Sequence, residues 1–302
     1  MRVQVCGWGW GVIGELEPSV DEFADEVGAS GPVTVAGLAT RGGPVEGVRT
    51  VMAPSGVADV QPAEMTVRCG AGTPVADLDE ALAVYGQSVA IPPSGTVGGA
   101  LAVGHSGIRR LGYGPIRDTV LQIRYVNARG ELVKAGGPTV KNVSGFDLCR
   151  LMVGARGTLG FLAEVTLRTR PRAPFEHWYV TDRAPAGVQR DLYRPTSLLW
   201  DGTHVWALLE GHEADVVAQA SAAGLDPADD PPELPDGGRW SLPPGELGSL
   251  TGRFVAELGV GIVHHSLPAP PRPVDPAVAA LHDRIKRAFD PDARLNPGMS
   301  VL

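Results

Sequence analysis

The stretch Val120-Leu-Gln-Ile-Arg-Tyr-Val-Asn-Ala-Arg-Gly-Glu-Leu-Val-Lys-Ala135 decides the fold class. It reads as a strand over Val120–Asn127, a turn at Ala128-Arg-Gly130 and a returning strand over Leu132–Ala135, a link far too short for a parallel crossover. Gly160–Leu167 supplies a third strand, so antiparallel hairpins outnumber crossovers and the fold is expected to be α+β, not a doubly wound sheet. Upstream, Met65–Cys69 alternates as a strand, and Thr73-Pro-Val-Ala-Asp-Leu-Asp-Glu-Ala-Leu82 begins a helix with Thr73 as N-cap, proline at the first position and acidic first-turn residues. Earlier still come a capped helix over Pro18–Val27, a short strand over Pro32–Ala36 and the loop Gly37-Leu-Ala-Thr-Arg-Gly-Gly43.

Beyond Pro171 the order is strand (His177–Val180), helix (Ala186–Leu192), hairpin (Leu198–Trp200 with Val205–Glu210) and helix (Ala214–Ala223). This β-α-β-β-α order is that of the split ferredoxin-like unit. Asp226–Gly238, rich in proline and aspartate, is expected to be an exposed loop, after which Arg253–Val255 and Gly261–His265 return strands to the same sheet. Pro268–Pro276 reads as a linker, and the last helix, Val278–Phe289, stops at Asp290-Pro-Asp-Ala-Arg-Leu-Asn-Pro-Gly298.

With 302 residues, 43% hydrophobic and 20% charged, the chain has room for one large or two modest domains and the composition of a globular protein. A net charge of -8 with no basic stripe argues against nucleic acid as a partner. Cys6, Cys69 and Cys149, odd in number and widely spaced, form neither a metal pair nor a disulfide framework, so they read as reduced cytosolic thiols and no metal site is expected. The N-terminus is too short and too broken by glycine for a signal segment, and no apolar run of about 18 residues exists to span a bilayer. The expected location is cytoplasmic.

The glycines cluster between Gly37 and Gly160, most densely from Gly95 to Gly114. Paired glycines there let backbone N–H groups form an anion-binding nest, with Ser94, Thr96 and Ser106 adding hydroxyls; the alternative is an ordinary glycine-rich surface loop. Neither GxGxxG after a strand nor a P-loop is present, so a bound nucleotide must use another scaffold. Arg109 and Arg110 could clamp a carboxylate bidentately, or pair with Asp118 or a phosphate. His264 and His265 are candidate proton acceptors, although one of two adjacent strand histidines ordinarily faces solvent.

Four blocks carry a resemblance to a known family: Pro93-Ser-Gly-Thr-Val-Gly-Gly-Ala-Leu-Ala102; Ser106-Gly-Ile-Arg-Arg-Leu-Gly-Tyr-Gly-Pro-Ile-Arg-Asp118; Lys141-Asn-Val-Ser-Gly-Phe-Asp-Leu-Cys-Arg-Leu151 with Gly157-Thr-Leu-Gly-Phe-Leu162; and Phe289-Asp-Pro-Asp-Ala-Arg-Leu-Asn-Pro-Gly298. In that order they resemble the FAD-binding oxidases of the vanillyl-alcohol oxidase type, which share the PCMH-type domain, and among them the FAD-binding subunits of bacterial glycolate oxidases. The resemblance implies a PCMH-type FAD-binding domain over 1–172, a short ferredoxin-like cap over 173–266 and a C-terminal return segment over 267–302. It assigns cofactor contacts to Thr40, Ser94, Gly95, Thr96, Gly98, Gly99, Ser106, Gly107, Arg110, Gly157 and Leu162, and a place at the isoalloxazine edge to Asn296. His264 and His265 become the catalytic candidates.

Two departures stand out. Leu38 and Ala39 occupy positions where the family usually has further glycines, and no histidine lies beside that loop, which favours non-covalent FAD; His105 is the one residue of the second glycine stretch able to attach the flavin. The activity implied is oxidation of a small 2-hydroxy acid or alcohol. The alternative is a non-catalytic FAD-binding subunit that serves a second flavoprotein and an iron–sulfur subunit, because the cap is short and this chain has no cysteine cluster. An NAD(P)H-linked reductase is a more distant reading, unsupported by any dinucleotide fingerprint.

Overall fold

The computed structural model describes residues 14–137, 147–271 and 273–300. Cys6 and the Lys141–Phe146 part of the third block lie outside the described residues. The chain divides into two compact units: Met1–Ser106 with Pro115–Pro171 and Val274–Leu302, and Gly107–Gly114 with Arg172–Pro273.

The first unit is built on a five-stranded antiparallel sheet in the order Val57–Gln61, Thr66–Gly70, Phe161–Arg168, Val120–Val126, Leu132–Gly136. The expected hairpin is its edge, with Gln122 opposite Gly136 and Val126 opposite Leu132. Phe161–Arg168 sits at the centre and is covered on both faces; every residue but Arg168 is buried, including Glu164 and Thr166. An extra residue near Ala163, where Arg124 pairs with Glu164 and Tyr125 with Leu162, switches which side chains face which layer. Phe161 and Ala163 therefore pack with Phe23, Val27, Val33 and Val51, whereas Val165 and Leu167 pack with Leu78 and Leu82 of the helix Val75–Ala83.

The first helix, Val20–Val27, begins as its sequence dictates: the Ser19 hydroxyl accepts from Glu22 N–H and the Glu22 carboxylate accepts from Ser19 N–H. The second helix departs from expectation. Its N-cap is Pro74, without a side-chain cap, because the Thr73 hydroxyl is used across the chain, accepting from Gly56 N–H at 2.9 Å and donating to Gly56 O at 3.0 Å.

The second unit is one seven-stranded sheet in the order Asp226–Ala228, Phe175–Thr181, Val205–Gly211, Ser197–Trp200, Phe254–Glu257, Ile262–His265, Gly238–Ser241. The β-α-β-β-α order is present, with helices Pro185–Asp191 and Glu213–Ala222. The segment expected to be a loop contributes a strand at each end instead: Asp226–Ala228 pairs with Trp178–Val180, and Gly238–Ser241 pairs with Ile262–His265. Alternation puts Tyr179, Leu198, Ala207, Ala256 and Val263 on the face that packs with Val188 and Val216 of the two helices.

The C-terminal block locks into the first unit through charge as well as through Leu295, which is buried in the core beside Val33. Arg294 is 4% exposed and donates to the carbonyl oxygens of Val27, Gly28, Ser30, Gly31 and Ala128 at 2.9 to 3.1 Å. Asp290, also buried, accepts from Arg294 N–H, Leu295 N–H and Lys286 Nζ, the last at 2.6 Å. Burial is the main reason that the Arg294 guanidinium lies below its ordinary pKa. Arg294→Met leaves those carbonyls without donors and is expected to cost about 3 kcal/mol or more in chemical denaturation. Arg294→Lys should recover little of it, since an ammonium has three donors and no planar fork; full recovery would show that charge alone suffices.

Candidate functional site

The first unit contains a cleft walled by the loop after the first strand, the start of the helix Val97–Val103, the 156–162 segment and the C-terminal block. Arg41 ties two of these walls: its Nη1 donates to Ser94 O at 2.6 Å and its Nη2 to Ser94 Oγ at 3.3 Å. Gly95 has φ +75°, and a Cβ there would collide with the Thr40 hydroxyl and the Arg41 guanidinium, so only glycine lets the loops meet. At Gly98 a Cβ would come within 2.8 Å of Ala71 O, which accepts the Gly98 N–H at 2.6 Å.

The backbone donors of this glycine stretch are spent on the protein. Val97 N–H goes to Thr73 O, Gly98 N–H to Ala71 O and Gly99 N–H to the Thr96 hydroxyl. By contrast, among the described residues no backbone N–H of Gly37–Gly43 is donated to an acceptor outside that loop. The unused donors that the glycine-rich nest was expected to offer at 95–99 are therefore offered by 37–43. Ala39 takes φ 54°, the left-handed conformation that glycine adopts freely, at a cost of about 1 kcal/mol.

Asn296 lies at the cleft, 5% exposed, and is a fastener as well as a lining residue. Its Nδ2 donates to Arg156 O at 2.7 Å, its Oδ1 accepts from the Thr34 hydroxyl at 2.8 Å and its N–H donates to Val33 O. Gly157 must lack a side chain because a Cβ would come within 2.6 Å of Asn296 Nδ2. Thr40, Thr96, Gly98, Gly99, Gly157 and Leu162 also line the cleft. Ser94 and Gly95 sit behind it, and the Ser106 hydroxyl accepts from Ile116 N–H at 3.0 Å as part of the framework. Arg41 and Arg156 are charged cleft residues to which the sequence assigned no cofactor contact.

Gly107 and Arg110 belong to the second unit, where Arg110–Tyr113 forms a short helix whose Gly112 N–H donates to Thr196 O. Arg109 is not free to hold a ligand and does not pair with Asp118, whose partners are Arg117 and Arg150. It bridges Glu176 and Glu210, each at 2.7 Å, while the Tyr113 hydroxyl donates to Glu210. The hydrogen bond to Glu176 is the first cause of the raised Arg109 pKa, and that to Arg109 the first cause of the lowered Glu176 pKa. The two histidines differ. His265 is 1% exposed and stacked on Trp240; its Nδ1 accepts from Leu267 N–H and its Nε2 reaches Thr251 O, so both ring nitrogens are engaged. His264 uses only Nε2, at 2.9 Å from Glu257 Oε1.

Comparison with known proteins gives two family matches in chain order: "FAD binding domain" over residues 29–136 and "FAD linked oxidases, C-terminal domain" over 246–300. Over these two segments the chain is similar to FAD-linked oxidases. Among curated relatives, glycolate oxidase subunit GlcE of Escherichia coli is 33% identical over 181 residues, 56% of this chain and 52% of that protein. D-lactate dehydrogenase of Archaeoglobus fulgidus is 40% identical over 107 residues, 34% of this chain and 24% of that one. The chain thus spans about half the length of the first relative and a quarter of the second. Among solved structures, alkyldihydroxyacetonephosphate synthase superposes with a TM-score of 0.64 at 15% identity, covering 92% of this chain and 73% of that one, which shows the shared fold.

The cleft fits FAD electrostatically. Among the described residues its charged lining residues are Arg41 and Arg156 and no carboxylate lines it, while Val103, Met152, Phe161 and Met299 give it apolar wall. A pyrophosphate can there meet unspent N–H groups and cations while rings lie on apolar side chains. Arg41→Gln is expected to weaken FAD binding about tenfold, the loss of roughly one charge-assisted hydrogen bond, and to flatten its salt dependence in a flavin fluorescence titration. An unchanged Kd would remove Arg41 from the anion site.

Proposed function

We propose that this protein holds FAD non-covalently in the first unit and oxidises a short 2-hydroxy acid, with a CH–OH group becoming C=O. The observation that carries the reading is the cleft with two arginines and no carboxylate, bordered by N–H groups that no neighbouring element uses. Thr40, Arg41, Gly42 and Arg156 would hold the pyrophosphate, and Leu162 and Phe161 would face the rings. Bound FAD supplies the two-electron acceptor for the hydride leaving the substrate carbon. Relatives named glycolate oxidase subunit and D-lactate dehydrogenase support a 2-hydroxy acid as substrate class.

The hydroxyl proton needs an acceptor, and His264 is suited to the part. A carboxylate can only accept, so Glu257 places the hydrogen on Nε2 and leaves the Nδ1 lone pair available. His265, with both nitrogens engaged, serves the strand instead. Anaerobic stopped-flow mixing with glycolate, D-lactate and D-2-hydroxyglutarate is expected to bleach the flavin with at least one of them. His264→Gln should slow that bleaching about 10²- to 10⁴-fold without altering FAD affinity. Failure of every acid to reduce wild-type flavin would count against catalysis by this chain.

That outcome would favour the second reading, an FAD-binding subunit working beside another flavoprotein and an iron–sulfur subunit. The relative named as a subunit supports it. So does the state of the thiols: burial, the first cause in each, pushes Cys69 up to about 12 and Cys149 to about 11, far from the thiolate that a cluster requires. Among the described residues no helix is long and apolar enough to cross a membrane.

A further inference from the structure

The second unit carries a guanidinium group, that of Arg239, with no ion-pair partner among the described residues. Arg239 stands directly opposite His264 in the antiparallel pair Gly238–Ser241 with Ile262–His265, and Val255 stands opposite His264 on its other side. Directly paired residues, and residues two apart on one strand, share a face of a sheet. Arg239, His264 and Glu257 are therefore on one face, opposite the face that packs on the helices. Among the described residues the Arg239 guanidinium makes no hydrogen bond or ion pair. Burial, the largest cause, draws the Arg239 guanidinium below its ordinary pKa; Glu257 opposes that, and the charge of Arg110 reaches it and adds to it. A half-buried cation beside a second cation lowers stability unless an anion joins them.

Glu257 does not play that part. Its side chain is 2% exposed, one oxygen is spent on His264, and the other is buried with no hydrogen-bond partner among the described residues. It is placed to orient the imidazole and to stabilise positive charge on it. The cluster therefore offers the planar fork of Arg239 for a carboxylate, which Arg binds bidentately, and beside it a ring nitrogen able to accept a hydrogen bond.

We propose that Arg239 binds the carboxylate, and Nδ1 of His264 the hydroxyl, of a short 2-hydroxy acid, with Glu257 as the positioning residue for His264. The proposal rests on the reading of this protein as a 2-hydroxy-acid oxidoreductase, and it names the residues of the second unit that recognise the substrate.

The test uses 2-hydroxy-2-methylpropanoate, which has the carboxylate and the hydroxyl but no hydrogen on the carbinol carbon, so that binding is measured without turnover. Calorimetric titration of the FAD-loaded protein is expected to show binding, at least tenfold weaker for 2-methylpropanoate, which lacks the hydroxyl, and undetectable for the methyl ester of the hydroxy acid. Arg239→Gln should weaken the hydroxy acid at least tenfold while its Tm stays level or rises, because removing an unpaired half-buried charge relieves the fold. His264→Gln should erase the difference between the hydroxy acid and 2-methylpropanoate. Absence of binding to the wild-type protein, unchanged affinity in Arg239→Gln, or a fall in Tm in that variant with affinity intact would each overturn the assignment. Flavin bleaching by 2-hydroxy acids with unchanged affinity in Arg239→Gln would overturn this site alone; analogue binding that depends on Arg239 without any bleaching would retain the site and overturn the oxidation.

Discussion

A single buried guanidinium sets the position of much of the first unit. Arg294 reaches five carbonyl oxygens at the end of the first helix, in the turn after it and in the Ala128 hairpin turn. These oxygens belong to backbone that regular structure leaves unsatisfied, and a planar five-donor group is the side chain suited to gather them. With Arg294 fixed, Leu295 enters the core beside Val33, and Asn296 N–H bonds to Val33 O. Asn296 can then fasten Thr34 to the Arg156 carbonyl at the cleft. The last residues of the chain thereby hold the first strand and the 156–157 turn in register, and the cleft inherits its shape from that bond set.

Charge is handled oppositely in the two halves of the protein's chemistry. In the framework three cations are held by hydrogen bonds: the buried Arg294 by carbonyls, and the part-exposed Lys286 by Asp290, Thr158 O and Leu295 O and Arg109 by Glu176 and Glu210. At the cleft Arg41 and Arg156, and on the sheet face of the second unit Arg239, make no ion pair among the described residues. Groups left uncompensated in a folded protein lower its stability, and their grouping marks where an anion completes the balance. The same logic separates His264, with one nitrogen engaged, from His265, with both.

Much of the fold was legible because it rests on local pattern. The Val120–Ala135 hairpin, the Ser19–Glu22 capping box and the apolar run Phe161–Leu167 act within a few residues, and each forms as its residues dictate. What sequence could not show depends on partners far along the chain. Thr73 looks like a helix cap until Gly56, seventeen residues away, takes its hydroxyl. Arg294 lies inside a block noticed for its Asn-Pro-Gly turn, and nothing local reveals that its carbonyls come from residues more than 160 positions earlier. The glycines at 95–99 suggested free N–H groups; in fact they permit close packing against Ala71 and Arg41, and the unspent donors fall on 37–43. Arg239 gave no signal because its meaning comes from register opposite His264 and from the absence of a partner.

The visible absorbance spectrum of the purified protein, taken before and after acid precipitation, tests the central claim that the cleft of the first unit holds FAD without a covalent bond. The account predicts flavin bands in the native protein and their transfer to the supernatant with the precipitated chain left colourless. A colourless protein that takes up no added FAD would contradict it, as would colour that stays with the denatured chain.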